Sequence, residues 1–395
     1  MSNNESGGSS ATRPKPVPFA RRLVSHDKRR TIVASAGIGF ALLVIFVQLG
    51  FYGAVLHTAL AVSDRFSGDL MLISPGFVYL GETGDIPTAR LFQALNESDV
   101  ESATPFYFRY ADWRHTQTGM RCRLFALAFP IDEATEDLPL EIPEIGDQLD
   151  RLRPTNHLLL DRFTQSNCGP DPGLTEVQVQ DQSSQVVGHF NLGVGFLADG
   201  AFITSDDTFS RLFGSASLDR PNLGLLRLKP GSDPDAVAEK LRSSLPRDVR
   251  VVTTEELNGY QTEHWVSNTA AGNIFGLGSL AGFVVGLVVL FEILSTDIRN
   301  QLPFYATLMA MGYTRKQLLR FVLTQAWIFA AIGYLPALLI SAVLFPIVHD
   351  LTQLPVFLTA GLALSVLSLG FLMCSGAAGL SFLRLRKADP AELFR

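Results

Sequence analysis

Two cysteines are the residues best able to do covalent chemistry in this chain of 395 residues. Cys122 and Cys168 lie in a long polar stretch, whereas Cys374 lies inside an apolar run. In an oxidising compartment the first two would form a disulfide that closes a loop of about 45 residues and adds roughly 3–4 kcal/mol. Two unpaired thiols are the alternative.

Other catalytic patterns are absent from the sequence. No Gly-Lys pair occurs, so the chain lacks a phosphate-binding loop and cannot hydrolyse ATP by that route. The seven histidines show no metal-ligand spacing, and no Gly-x-Ser-x-Gly nucleophile motif is present. Gly193, Gly195 and Ala198 nominally fit a dinucleotide fingerprint, but Asp199 and Gly200 stand where a helix should begin, which favours a turn. We therefore predict a chain that is not catalytic alone and binds no metal or cofactor.

The elements that carry these residues are four apolar runs and one polar domain. Each run has at most one charged residue and is long enough to cross a hydrocarbon core of about 30 Å. The predicted fold is an α-helical membrane protein with four transmembrane helices and a large α+β periplasmic domain between the first and second. The predicted helices are 31–63, 265–295, 321–348 and 351–383, and the domain is 64–264.

Charge predicts how these elements lie in the membrane. Lys and Arg cluster before the first run, between the second and third, and after the fourth, which predicts that both termini lie inside, in the cytoplasm. The cytoplasmic parts are then a tail and pre-membrane segment (1–30), a coupling segment (296–320) and the C-terminus (384–395). Residues 57–270 hold 17 Lys/Arg against 31 Asp/Glu, a net charge of −14, which argues against nucleic acid as a partner.

Two β-α-β patterns bracket the polar domain. The first contains a strand at 69–75, a helix from Pro87 and a strand at 100–108; the second contains a strand at 222–230, a helix at 233–245 and a strand at 249–254. We interpret them as pseudo-symmetric halves of one α+β domain. A β-rich insertion, about 109–221, separates them and contains strand candidates at 121–129, 157–161, 176–179, 186–192 and 200–204.

Three glycines four residues apart form a smooth stripe on the second predicted helix: Gly278, Gly282 and Gly286. Small residues at this spacing let helices approach closely in a membrane. We predict that the stripe packs across a two-fold axis in a homodimer. Packing within one subunit is the alternative.

The coupling segment combines helix-breaking residues with an apolar pattern. Pro303 begins or ends a helix, Gly312 permits a positive φ, and Phe304, Leu308 and Met311 share one helical face. Such a face suits a groove in a partner protein. A helix lying flat in the membrane interface is the alternative.

Longer stretches of the sequence carry a family resemblance. They include RRLVSHDKRR, LPLEIPEIGDQLDRLRPTNHLLLDR, ADGAFITSD, NLGLLRLKPGSDPDAVAEKLRSSLPRDVRVVT, FVVGLVVLFEILSTDIRNQLPFYATLMAMGY and KADPAELF. With these stretches the chain resembles ABC-transporter permeases of the MacB/FtsX class, and within it the DevC-like subfamily of cyanobacterial exporters. The resemblance covers nearly the whole chain.

The resemblance implies a permease subunit that transmits force and works with separate proteins. Its implied partners are a cytoplasmic DevA-like ABC ATPase that binds ATP-Mg, a DevB-like periplasmic membrane-fusion adaptor and a TolC-type outer-membrane channel. The implied cargo is lipid-like, a glycolipid in DevC-like members, and the implied location is a bacterial, cyanobacterial inner membrane.

The resemblance also implies which residues couple the chain to its ATPase. Phe304 departs from the subfamily pattern, in which an acid is usual, so a salt bridge at that point is in doubt. The resemblance and the apolar pattern together give these predicted coupling residues: Asp297, Pro303, Phe304, Tyr305, Leu308, Met311, Gly312 and Tyr313. Ala306 also matches the subfamily pattern.

Two other functions compete with export. An FtsX-like regulator would transmit ATP-driven motion to a periplasmic cell-wall enzyme without moving cargo. A stand-alone membrane enzyme is disfavoured because the catalytic patterns are missing.

Overall fold

The computed structural model describes residues 28–132, 138–169, 175–300 and 302–387. The predicted tail before residue 28 and the stretch after 387 lie outside the described residues. The helices are α1 (Lys28–Leu60), α2 (Ala89–Ala94), α3 (Pro143–Gly146), α4 (Leu149–Leu152), α5 (Asp206–Phe213), α6 (Pro234–Ser244), α7 (Thr254–Glu263), α8 (Ala270–Asn300), α9 (Leu302–Ala310), α10 (Arg315–Thr352) and α11 (Ala360–Lys387). The strands are β1 (Leu70–Ile73), β2 (Val100–His115), β3 (Arg121–Phe129), β4 (His157–Asp161), β5 (Glu176–Val179), β6 (Gln182–Phe190), β7 (Gly200–Ser205), β8 (Leu223–Leu228) and β9 (Arg250–Thr253). A π-helical turn (His264–Asn268) joins α7 to α8, and 3-10 turns lie at Ser63–Arg65 and Ser215–Ser217.

The chain folds as two compact units. The helical unit contains 28–46, 280–340 and 363–387, and the mixed unit contains 47–279 and 341–362. Four helices of the described chain are long and apolar enough to cross a membrane: Ser35–Leu60, Ala270–Asn300, Lys316–Thr352 and Ala360–Phe382. They correspond to the four predicted runs. The last begins nine residues later than the predicted residue 351, because the chain from Gln353 to Thr359 is not helical.

One part of the mixed unit is a four-stranded antiparallel sheet in the order β9–β1–β8–β2. Strand β1 pairs with β8 on one side and β9 on the other, so Leu72 lies opposite both Gly224 and Val251. The two predicted β-α-β units are therefore interleaved in one sheet. This arrangement is the ferredoxin-like split β-α-β topology.

Helices cover one face of this sheet. Strand β1 points alternate side chains into the core under these helices and into a second core on the opposite face. Leu70 and Leu72 pack with α2 and α6, while Met71 and Ile73 belong to the core on the opposite face. Helix α6 begins where Asp233 caps it, since its side chain accepts a hydrogen bond from the backbone of Asp235, and Pro234 occupies the first turn.

The β-rich insertion closes into a six-stranded barrel. The strands run β2–β3–β7–β4–β6–β5, and β5 pairs again with β2. A closed ladder leaves no edge strand to pair with another chain. Strands β3, β4 and β5 have the predicted bounds, whereas β2 extends to His115 instead of ending at Phe108.

Strand β2 is shared by the sheet and the barrel. Its first half, Val100–Phe106, pairs with β8, and its second half, Tyr107–His115, pairs with β3 and β5. The barrel is therefore built on a strand that continues directly from the ferredoxin-like part.

A disulfide joins Cys122 on β3 to Cys168 in the loop after β4. The indole of Trp113 donates a hydrogen bond to the Cys168 carbonyl at 2.9 Å, which fixes that loop against β2. Cys122, Cys168 and Asp199 place potential metal-ligand atoms within 4.8 Å of one another. Since both sulfurs belong to the disulfide, we assign this group a structural role.

Candidate functional site

The coupling segment forms a helix-turn-helix in the helical unit. Helix α9 ends in a Schellman motif: the Tyr313 N–H donates to the Leu308 carbonyl at 3.1 Å, and Gly312 has φ +91°. A residue with a Cβ is strained in this conformation, so glycine is required at the turn. The turn predicted from Gly312 is present.

The next helix begins immediately after this turn. Thr314 precedes α10, and its backbone N–H donates to the Gln317 side chain at 2.7 Å, as in a capping box. The Gln317 N–H in turn donates to the Thr314 carbonyl at 3.0 Å. A backbone hydrogen bond thus fixes the end of α9, and the Gln317 side chain helps to fix the start of α10.

Two of the predicted docking residues are buried within the chain itself. Tyr305 is 1% exposed and Leu308 is 9% exposed. The Tyr305 ring lies 6.2 Å from the Phe321 ring of α10. The expectation that Tyr305 and Leu308 face a partner is therefore wrong: they hold α9 against its own chain. The spacing of apolar residues predicted a helical face but could not show what covers it.

The exposed face of the coupling segment is a different one. Pro303, Thr307, Met311 and Tyr313 are exposed, and Met311 has 63% of its surface accessible. We call these four residues the coupling face. The side chains of Asp297 and Phe304 lie outside the described part of the structure, so their predicted roles remain predictions.

The glycine stripe on α8 packs against other helices of the same chain. A Cβ on Gly278 would lie 2.5 Å from Cδ of Gln48 on α1, and one on Gly282 would lie 3.2 Å from Val44 on α1. A Cβ on Gly286 would lie 2.8 Å from the Ala41 Cβ. The intramolecular alternative therefore describes the stripe, and the placement of a two-fold seam along it is corrected. The homodimer itself remains a prediction.

Loops of the α+β domain pack on the ends of the spanning helices within the mixed unit. We call these contacts the helix-end joint. The Phe196 N–H donates to Oγ1 of Thr58 on α1 at 3.3 Å. Gly195, with φ +50°, is so close that a Cβ there would collide with Thr58 and lie 3.2 Å from Pro355, in the loop before α11. One loop thus touches the end of a spanning helix and the connection that leads into another.

Asp161 fixes this loop from beneath. It ends β4, is fully buried, and accepts hydrogen bonds from the backbone N–H groups of Leu192 (3.0 Å), Gly193 (2.8 Å) and Phe163 (3.2 Å). Burial raises the pKa of the Asp161 carboxyl, and the three backbone donors oppose that shift. The sequence analysis missed Asp161; its signal was an acid that directly follows the apolar run Leu158–Leu160.

Aromatic rings complete the helix-end joint. Tyr79 stacks on His264 with centroids 4.1 Å apart and meets Trp265 edge to face at 6.0 Å. On the other side, Phe163 lies 6.1 Å from the His349 ring of α10. Burial lowers the pKa of His264, which favours the neutral imidazole. A neutral imidazole suits a packed contact better than a proton relay.

The approach to α8 is likewise fixed by local bonds. Thr253 and Glu256 form a capping box at the start of α7. The predicted strand at 249–254 therefore ends at Thr253. The Thr-x-x-Glu spacing that starts α7 is readable in the sequence, although the sequence analysis did not use it. The path from sheet to spanning helix is β9, α7, the π turn and α8.

Comparison with known proteins identifies the class of the helical part. Residues 276–390 match the model of the FtsX-like permease C-terminal family, so this chain carries an FtsX-like permease domain. That match contains the coupling segment together with α10 and α11. A comparison with curated proteins found no match.

Solved structures overlap with about half of the chain. The periplasmic region of MacB from Actinobacillus actinomycetemcomitans aligns over 49% of this chain and 92% of its own, with 10% identity and a TM-score of 0.33. The extracellular domain of the ABC-type transporter YknZ from Gram-positive bacteria aligns over 47% and 99%, with 7% identity and a TM-score of 0.31. The assignment of an FtsX-like permease domain rests on the family match and not on these overlaps with solved structures.

Proposed function

We propose that this chain is the membrane subunit of an ATP-driven ABC exporter and that it transmits the motion of a cytoplasmic ATPase to its α+β domain. The observation that carries the proposal is the coupling segment: a short helix of the FtsX-like domain, fixed at its C-terminal end by a hydrogen-bonded turn, buried on one face and exposed on the other. A rigid element with one free face can receive a push and pass it to the helices that it joins.

The contacts of the segment support this role. Tyr305 and Leu308 anchor α9, so a displacement of α9 moves α10 with it. The Schellman turn at Gly312 limits bending between the two helices. Positive charge from Arg299, Lys316 and Arg320, all exposed, surrounds the segment and favours a cytoplasmic position.

The helix-end joint supplies the second half of the proposed path. Thr58 and Pro355 lie on segments that enter or leave spanning helices, and both meet the loop that Asp161 fixes. Movement of the helix ends is thereby passed to β4 and the barrel. We assign the chain itself a mechanical role and leave ATP hydrolysis to the partner.

The proposal extends to a tripartite assembly. Its support is the sequence resemblance to DevC-like permeases, which adds a membrane-fusion adaptor, a TolC-type outer-membrane channel, a homodimer and a lipid-like cargo such as a glycolipid. The bacterial inner membrane, with both termini in the cytoplasm, is the proposed location.

An FtsX-like regulator is the second candidate. The FtsX-like family match favours it equally, because a force path from coupling face to α+β domain serves an enzyme partner as well as a transport partner. Dependence on a membrane-fusion adaptor supports export, and capture of a cell-wall hydrolase by the α+β domain supports the regulator.

Substitutions on the coupling face test the proposed role. Met311→Asp with Tyr313→Asp should abolish co-purification of the ATPase while expression and membrane insertion stay normal, since two charges would enter a desolvated groove at a cost of a few kcal/mol. Met120→Asp is the matched control, because Met120 is an exposed methionine of the α+β domain. A double variant that still recruits the ATPase would refute the coupling face as the ATPase contact and favour the alternative that α9 lies flat in the membrane interface.

A further inference from the structure

A cavity of about 360 Å³ lies beside the edge strand β9 and has arginines in its wall. Arg242, Arg247 and Arg250 line it, together with Glu256 and Tyr260. We propose that this cavity binds a phosphate group and that an anionic phospholipid of the adjacent membrane surface supplies it. The inference is independent of ATPase coupling and goes beyond the proposed function.

Arg250 has unused donors that face no protein acceptor. Its Nη2 makes one long hydrogen bond, 3.4 Å, to the Phe77 carbonyl, and its guanidinium carbon lies 5.2 Å from the centre of the Tyr260 ring. Its Nε is buried and has no hydrogen-bond partner among the described residues. A guanidinium has five N–H donors, and buried donors are normally satisfied. Since Nε is closed to solvent, an anion in the cavity would bind the terminal nitrogens of Arg250, of which Nη2 makes only the one long bond.

The other two arginines have separate roles. Arg242 is committed, since its Nε donates to the Val251 carbonyl at 2.9 Å and its terminal nitrogens pair with Glu239 and Glu256. Arg247 is exposed and has no ion pair among the described residues. Arg242, Arg247 and Arg250 against Glu239 and Glu256 give this group a net charge of about +1, and Arg247 and Arg250 are the two cations with no carboxylate partner among the described residues.

The charge and the walls together favour a phosphate. The surrounding stretch 57–270 has a net charge of −14, so a positive cavity here stands against its background. Leu245, Pro246, Val249 and Val252 form apolar walls, which lower the local dielectric and strengthen charge-assisted hydrogen bonds. Arginine forks match the geometry of phosphate oxygens better than a point charge does.

The position of the cavity indicates a lipid as the source. Tyr260 lies on α7 one helical turn, about 5.4 Å, before His264 and Trp265, which form the aromatic cluster with Tyr79. Tyr and Trp rings gather at the level of the lipid headgroups. The Tyr-Trp cluster one turn from the cavity is the observation that favours a headgroup phosphate over free phosphate.

Lipid binding to the full chain tests the proposal. We would measure binding of phosphatidylglycerol by native mass spectrometry of the detergent-solubilised chain, with phosphatidylcholine as the zwitterionic comparison. Arg247→Gln should weaken phosphatidylglycerol binding roughly fivefold. Arg250→Lys, which keeps the charge and removes the fork, should weaken it at least as much. Arg220→Gln, at an exposed arginine of the same domain outside the cavity, should have no effect.

The outcomes separate the site from general charge attraction. Equal losses in the Arg220, Arg247 and Arg250 variants, or unchanged binding in Arg247→Gln, would overturn the site. Titration with inorganic phosphate distinguishes the source: if millimolar phosphate binds with the same sensitivity to Arg247→Gln while phosphatidylglycerol does not bind, the lipid source is wrong. Arg247 is exposed, so its variant remains informative even if Arg250→Lys disturbs Tyr260.

Discussion

Asp161→Asn should loosen the loop that joins the barrel to the spanning helices. The carboxylate accepts three backbone hydrogen bonds, two at Oδ1 and one at Oδ2. An amide keeps one carbonyl oxygen for Phe163 and Leu192 but places an NH₂ donor opposite the Gly193 N–H. Loss of one charge-assisted bond at a buried site costs roughly 1.5–3 kcal/mol. We expect local opening of residues 191–197 to become easier by that amount.

Hydrogen exchange of the full chain measures this change. A loss of 1.5–3 kcal/mol corresponds to a fall of roughly 10- to 100-fold in the protection of the Gly193 amide. Asp199→Asn is the matched control: Asp199 accepts a backbone hydrogen bond from Arg123 at 2.9 Å, but it is only partly buried, so its loss should leave Gly193 unchanged. Unchanged protection of Gly193 in Asp161→Asn would refute the assignment of Asp161 as the residue that fixes the loop.

Four further outcomes are expected. Burial raises the pKa of Asp161 above the ordinary carboxyl pKa of about 3.9. Between these two pKa values the folded chain binds more protons than the unfolded chain, so the Tm should fall as pH rises through that window. The Asp161→Asn variant should lose this dependence of Tm on pH. Gly312→Ala should cost about 1–2 kcal/mol because its φ is +91°, seen as a lower Tm. Gly286→Val should cost roughly 1–3 kcal/mol by overpacking α8 against α1, and a cysteine at 286 that crosslinks between subunits would contradict the intramolecular packing. Removing the disulfide with Cys122→Ser and Cys168→Ser should cost roughly 3–4 kcal/mol, measured as a Tm shift that the reductant-treated wild type reproduces.

Local patterns were enough to predict most elements. Strands with continuous apolar runs, such as Arg121–Phe129, have the predicted bounds because they are buried on both faces and end at turn residues. The four spanning helices follow from length and composition in the same way. The turn at Gly312 could be predicted because glycine adopts a positive φ more easily than other residues.

Tertiary contacts decided what the patterns could not. The spacing of Tyr305 and Leu308 places them on one face of α9. Only the contact of Tyr305 with Phe321 of α10 shows that this face is buried. The glycine stripe permits a close helix neighbour without specifying whether it belongs to the same chain. In the sequence, Asp161 is an ordinary acid at the end of a strand. Its role depends on the hydrogen bonds that Leu192 and Gly193 donate to it in the folded chain.

The sharing of β2 between sheet and barrel makes the α+β domain a single stiff lever. Sixteen residues at about 3.3 Å each give a strand roughly 50 Å long, and hydrogen-bonded neighbours flank it along most of that length. A tilt imposed at the end paired with β8 is therefore transmitted to the barrel along one continuous hydrogen-bonded strand instead of through a flexible linker.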